Sequence, residues 1–286
     1  MPSKKGFEIQ FNWIFVLIAG AAILLFFAVV IVKQKNLSET SAQSTVLKSI
    51  EAIVTTAAVS ADTTNIVDIP NSDIEFSCGR ISIGKASRQY QNLILFSPNL
   101  IKGNTLITQT LAFSVPYRAT NLLYLTSPKV RYIIITDTNT KALAKEINKT
   151  MPLALSKEYY ETIPSIKDKN DPKIKFIILG FDANIDLANL NKMPDQDVTA
   201  IKIITTGTNR GSIGFYQKVN SNFQPKGTSQ YLTKAALMGA VYSDDIEIYE
   251  FSMKNAFQSL NLVTKVYNEK RKNLITIKCR FFNLKK

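Results

Sequence analysis

The chain contains no histidine. That absence removes the Ser-His-Asp and Cys-His nucleophile systems, zinc sites built on imidazole, and every His-Glu-x-x-His reading. Cysteine is nearly as scarce. Cys78 and Cys279 are the only two, so one chain cannot form a four-thiolate metal site, and neither has the Cys-x-x-Cys spacing of a redox enzyme. A hydrolase on this chain would have to use lysine, carboxylates or an oxygen-bound metal. Acidic residues are also in deficit, with 22 Asp and Glu against 35 Lys and Arg, for a net charge of +13. The basic residues are scattered through stretches such as "IKDKNDPKIK", "EKRKN" and "NLKK". They fit either a solvated lysine-rich surface or attraction to an anionic polymer or lipid head groups. No RNA-binding aromatic signature accompanies them.

One long apolar run is present. From Trp13 to Val32 no charged residue occurs, and roughly 20 helical positions at ~1.5 Å rise match a hydrocarbon thickness of about 30 Å. A cleaved secretory signal has a shorter core and a small-residue stop, and no Ala-x-Ala precedes Lys33. The alternative, a buried core helix, does not normally stay apolar on all faces for this length. The run therefore predicts a membrane anchor. Lys4 and Lys5, offset by Glu8, face Lys33 and Lys35 across it, so the positive-inside comparison is close to a tie. The short leading tail and long C-terminal part predict an inside N-terminus and an outside domain. The expected organisation is a tail over 1–12, a transmembrane helix over 13–32, a juxtamembrane stalk over 33–72 and an α/β domain over 73–286.

The remainder reads as strands and helices. Val46, Ile50, Ile53 and Ala57 recur at helical spacing and predict a stalk helix over about 40–58. "IEFSC" and "RISIG" predict a hairpin, followed by strands in "NLILFSP", "TLITQTLAFSV" and "TNLLYLTS", with turns at Lys102-Gly103-Asn104 and Ser127-Pro128. The continuous apolar runs "VRYIIIT", "KIKFIILG" and "VTAIKIITTG" predict strands buried on both faces. With "TKALAKEINKTMP" and "IDLANLNKMP" as helices between them, they give a β-α-β-α-β pattern. "SIGFYQKV" follows as an edge strand, "QYLTKAALMGAVY" and the stretch from Asp244 to Leu274 as helices, and "LITIKCRFF" as a final strand. In the last helix Tyr249, Met253, Phe257, Leu260, Val263 and Tyr267 form a stripe read as core packing. The fold class expected is α/β: a three-layer Rossmann-like domain with a mixed, partly parallel sheet.

Ligands of open parallel sheets sit at the carboxyl ends of strands. Those ends carry Asp137; Gly180 and Asp182; and Thr206, Gly207 and Arg210. If the three strands are neighbours, Asp137 and Asp182 are candidates to share a divalent metal such as Mg²⁺ through oxygen ligands. The other reading is ordinary loop and cap chemistry. The glycines of "TGTNRGSIG" lack the Walker lysine and read as a turn. Cys78 and Cys279 fit either a disulfide joining the start of the domain to its end or two free thiols. Asn36 and Asn148 stand in glycosylation sequons. No cofactor is implied.

The N-terminus, with Lys4, Lys5 and Gly6 before Phe7 and the apolar run, resembles the class III signal of archaeal and bacterial type IV pilin-like proteins. "GFEIQFNWIFVLIAGAAILLFF" with a stalk and an "FSC" strand also looks like membrane-anchored archaeal proteins. The resemblance covers about 30 residues. It implies a membrane location, processing after Gly6 in the pilin-like case, and envelope or pilus-assembly proteins as partners. Glu8 comes earlier than the glutamate pilins carry, and Gln10 and Asn12 interrupt the start of the helix.

Overall fold

The computed structural model of the chain describes residues 5–90 and 92–283; the side chains of 5–15, 32, 35–40, 57–58 and 274–283 lie outside that description. The first element, α1, is one helix from Lys5 to Val59. Val46, Leu47, Ile50 and Val54, spaced by three and four, are buried against the first sheet. The residues from 16 to 31 are the opposite case: Leu17, Leu24 and Ile31 are 65%, 72% and 64% exposed. The expected span over 13–32 falls within α1. Among the described residues no helix is long and apolar enough to cross a membrane; side chains are described over 16–31 of that span.

The strands form two six-stranded sheets where one was expected. The first contains β1 (Thr64–Ser77), β2 (Arg80–Ile83), β3 (Ala86–Gln89), β4 (Leu95–Phe96), β5 (Leu100–Ser114) and β6 (Arg118–Thr126), in the order β3-β2-β1-β5-β6-β4. Only β4 runs parallel to its neighbour, β6. The expected β1–β2 hairpin is present, with Ile74 opposite Ile83. The expected turn at Lys102-Gly103-Asn104 is instead internal to β5: Gly103 takes a φ of +130° and the pairing with β1 shifts between Asp68 and Ser72, so the strand bends without ending. α1 crosses the outer face of this sheet. The Asn121 amide on β6 donates to the Val59 and Ser60 carbonyls, and Gln43 accepts from the Lys85 amide in the β2–β3 turn.

The second sheet holds β7 (Val130–Ile135), β8 (Ser156–Tyr160), β9 (Lys173–Leu179), β10 (Val198–Gly207), β11 (Arg210–Val219) and β12 (Asn222–Leu232), in the order β12-β11-β10-β9-β7-β8. β8, β7, β9 and β10 are parallel; β10, β11 and β12 form an antiparallel meander. The three continuous apolar runs are the central strands: β7 and β9 are buried on both faces along their whole length, as expected, whereas β10 is covered over its first half and exposed from Ile204 to Gly207. α2 (Lys141–Thr150) carries the chain from β7 to β8. In place of the helix expected in "IDLANLNKMP" there is one 3-10 turn, Ala188–Leu190.

The helices α3 (Lys234–Tyr242) and α4 (Ile246–Asn283) follow. α3 is buried from Ala235 to Tyr242. It lies with the first turns of α4 between the two sheets, where Tyr124, Tyr132, Tyr242 and Tyr249 pack. Their hydroxyls are satisfied: Tyr124 donates to the Ala235 carbonyl at 2.8 Å, Tyr242 to Gln109 Oε1 at 2.8 Å, and Tyr132 pairs with Thr126 at 2.7 Å. The outer face of the second sheet is covered by the two connections that flank β9, the one before it through Ile166 and the one after it through Leu187, Leu190 and Met193. The expected final strand "LITIKCRFF" is the end of α4. The α4 stripe is core only at its start: Tyr249 and Met253 are buried, whereas Phe257 and Tyr267 are 42% and 45% exposed.

Buried charge ties the second sheet together. Arg131, 2% exposed, donates to both Glu158 oxygens at 3.1 and 2.8 Å, to Asp171 at 3.1 Å and to the Lys167 carbonyl at 3.0 Å. Asp244, at the start of the α4 region, accepts from Lys173 at 2.5 Å, the Asn99 amide at 2.9 Å and Thr199 at 3.2 Å. Asp245 caps α4 by accepting from the Ile248 amide.

Candidate functional site

β7, β9 and β10 are neighbours and parallel, so their carboxyl ends share one rim. Asp137 follows β7 there. Its Oδ1 accepts from the Thr140 hydroxyl at 2.6 Å and the Thr140 amide at 2.8 Å, and these bonds hold its carboxyl below the usual carboxylate range. The carboxylate lies over Gly180, where φ is +76° and any Cβ would overlap it. Asp182 has an 88% exposed side chain and pairs with Lys202 of β10 at 2.5 Å; that bond lowers its pKa as well. The two candidate carboxylates thus sit at the ends of adjacent strands with different partners, Asp137 at the start of α2 and Asp182 on Lys202. Among the described residues no group of three or more His, Cys, Asp or Glu side chains is placed to hold a metal ion.

The concave part of the rim lies one strand further on. A crevice of about 270 Å³ opens between α2 and α3, over the β10–β11 turn. Leu143, Ile147, Tyr231 and Leu237 form apolar walls, and Thr205 and Asn209 add polar groups. Glu146 and Lys234, both half-exposed, pair across it at 2.8 Å. The local backbone explains how α3 reaches the turn. Asn209 takes a φ of 57° and Thr233 a φ of 90°; the Thr233 amide donates to the Asn209 carbonyl at 2.7 Å, and its hydroxyl accepts from Ala236 to cap α3. A β-branched residue at positive φ is costly and persists where its surroundings fix it. Apolar walls with a few polar groups, at the low end of ligand-pocket volume, suit a small and mostly apolar ligand.

Gly207 lines the crevice. Thr206 and Arg210 line a separate, shallower groove of about 590 Å³ with Phe257. The contribution of α3 was not foreseen. "KAALMGAVY" is apolar all round, a signal for a buried helix, but nothing in its spacing places its first turn beside a strand end.

Cys78 is a free, exposed thiol, so the expected disulfide is not formed by it. The partial desolvation of its sulfur, with Asp245 and Glu247 nearby, pushes its pKa up. The side chain of Cys279 lies outside the described residues, on α4 rather than on a strand. No protein-family model, no curated protein and no solved structure matches this chain.

Proposed function

We propose that the protein is a single-pass, membrane-anchored binding protein whose α/β body lies outside the cytoplasm. The observation that carries the reading is the exposure of residues 16–31, which are apolar on every side while the same helix is buried against the body from Val46 to Val54. An exposed cylinder of this kind is unfavourable in water and suited to lipid. Trp13, Lys33 and Lys35 stand at its two ends in the sequence, where indole and lysine favour the interface. The crevice between α2 and α3 supplies the binding role, and its chemistry favours a small ligand with an apolar body.

Two measurements test this. Protease added to intact cells should digest the body; a body that stays protected rules out an outside location. Methyl NMR of Leu143, Ile147 and Leu237 against a library of small apolar acids and alcohols should give shifts that Leu237→Trp abolishes. A library without a single hit at these methyls removes the binding role.

The unbroken course of α1 from Lys5 to Val59 favours a second reading, a pilin-like subunit processed after Gly6 whose apolar helix packs in a filament core. Sequencing of the mature N-terminus should then begin at Phe7, and a Met1 or Pro2 start argues against it.

A further inference from the structure

We propose that the crevice between α2 and α3 takes a small apolar carboxylic acid, bound as the anion with its head group on Tyr231 and Lys234. This rests on the binding role given to that crevice and fixes the polar end of the ligand. Tyr231 is 4% exposed, yet among the described residues its hydroxyl has no hydrogen-bond partner. A buried phenol normally finds one, as Tyr124, Tyr132, Tyr242 and Tyr249 do. Tyr90 and Tyr159 also have unpaired hydroxyls, but those are sealed from solvent, whereas Tyr231 lines an open crevice. Its ring crosses β11 at Gly211, the residue opposite it in the register. A Cβ at Gly211 would stand 2.8 Å from the ring edge and 2.9 Å from the hydroxyl oxygen. Gly211 in turn lies opposite Thr205 of β10, so the hydroxyl is carried from β12 toward the Thr205 wall of the crevice.

Charge decides what the hydroxyl meets. Burial pushes the Tyr231 pKa up, so at neutral pH the phenol keeps its proton and can donate. Lys234 donates to Glu146, but both side chains are half-exposed, and such a pair opens at small cost. Lys234 also begins α3. The amides of Lys234 and Ala235 precede the capped Ala236 amide and have no partner within the helix, which favours negative charge at this end. Arg210 adds a second cation at the β10–β11 turn, its Nε 2.7 Å from where a Cβ on Gly207 would stand. Against these, Glu146 is the one acidic residue that lines the crevice. An amine could pair with Glu146 but would meet Lys234 beside it. A carboxylate accepts from Tyr231 and Lys234 together, through two oxygens, while its apolar body lies against Leu143, Ile147 and Leu237.

The test uses the full chain in detergent micelles, with labelled methyls at Leu143, Ile147 and Leu237, titrated with hexanoate, hexanamide and hexylammonium. Hexanoate should bind about tenfold more tightly than hexanamide, and hexylammonium more weakly than either. Tyr231→Phe, which keeps the ring and its packing, should weaken hexanoate about tenfold; an unchanged affinity overturns the head-group assignment. Lys234→Gln should bring hexanoate level with hexanamide. Glu146→Gln frees Lys234 and should tighten hexanoate about threefold. A pair that merely braces α2 against α3 would give looser binding in that variant, and this result overturns the proposal. Equal affinity for hexanoate and hexanamide overturns the anion and leaves the crevice as a binding site. Tightest binding of hexylammonium assigns the crevice to a cation and overturns it as well. Silence from all three overturns the acid, and the wider library then decides the binding role itself.

Discussion

Lys175 is a charged side chain held where charge is least welcome. It is 1% exposed between the sheets, with its Nζ on the Ser243 carbonyl and over the Phe215 ring at 5.9 Å. Burial pushes its pKa down from 10.5 to about 8, partly offset by Asp244 and reinforced by Lys173. The unfolded chain keeps this proton up to about pH 10.5 and the folded chain releases it near 8. Between those values the unfolded state therefore binds more protons, and this group makes stability rise with pH by up to ~1.4 kcal/mol per unit. Urea melts of wild type and Lys175→Met at pH 7.5, 8.5 and 9.5 should show a difference that favours the variant at pH 7.5, by about 1–3 kcal/mol, and shrinks as pH increases. Glu158 behaves in the opposite sense. Burial works against its charge, but hydrogen bonds from Arg131, Lys169 and Tyr160 outweigh it and hold the pKa at about 2. That contribution is complete above about pH 4.5 and disappears as the pH falls toward 2, so Glu158→Gln should cost about 2–4 kcal/mol at neutral pH and progressively less in acid melts. At the rim, Gly180→Ala must place a Cβ against the Asp137 carboxylate at positive φ; thermal melts should record a loss of about 1–3 kcal/mol.

The element that joins the projecting and packed parts of the molecule is α1. Ile50 is fully buried against the first sheet beside Ile74 and Leu106. Ile50→Ala should destabilise the body by about 2–5 kcal/mol in denaturant melts, whereas Leu24→Ala, on the exposed stretch, should leave those melts unchanged. Much of the second sheet was legible in the sequence. β7, β9 and the first half of β10 are continuous apolar runs because both of their faces are covered, and their neighbour relation put Asp137, Asp182 and Gly207 on one rim. β8, "SKEYY", was not legible, because a five-residue half-buried edge strand has neither a run nor a clean alternation. β12, "NFQPKGTSQYL", carries Pro225 and Gly227 in its middle and is mostly exposed, so its composition reads as a loop; only pairing with β11 makes it a strand. "LITIKCRFF" goes the other way: β-branched residues suggest a strand, but the stretch pairs with neither sheet and continues α4. The crevice depends on α2, α3 and the β10–β11 turn meeting, a long-range relation that no local spacing encodes.

For the whole molecule, the consequence lies in what α1 does not contain. Residues 33–59 have neither proline nor glycine, and the helix runs unbroken from the exposed stretch to the sheet. From residue 32 to Val46 that is about 20 Å at ~1.5 Å per residue, a mast rather than a rope. A stiff mast transmits rotation. Each residue added to it turns whatever it carries by about 100°, so on the proposed membrane placement the bearing of the crevice relative to the bilayer plane would be set by the number of residues between the exposed stretch and the sheet. One to four alanines inserted after Gln34 should therefore make quenching of a dye on Cys78 by labelled lipid head groups oscillate with a period near 3.6 residues. A flat series would mean that the joint swivels, and that the compass heading of the body is left to chance.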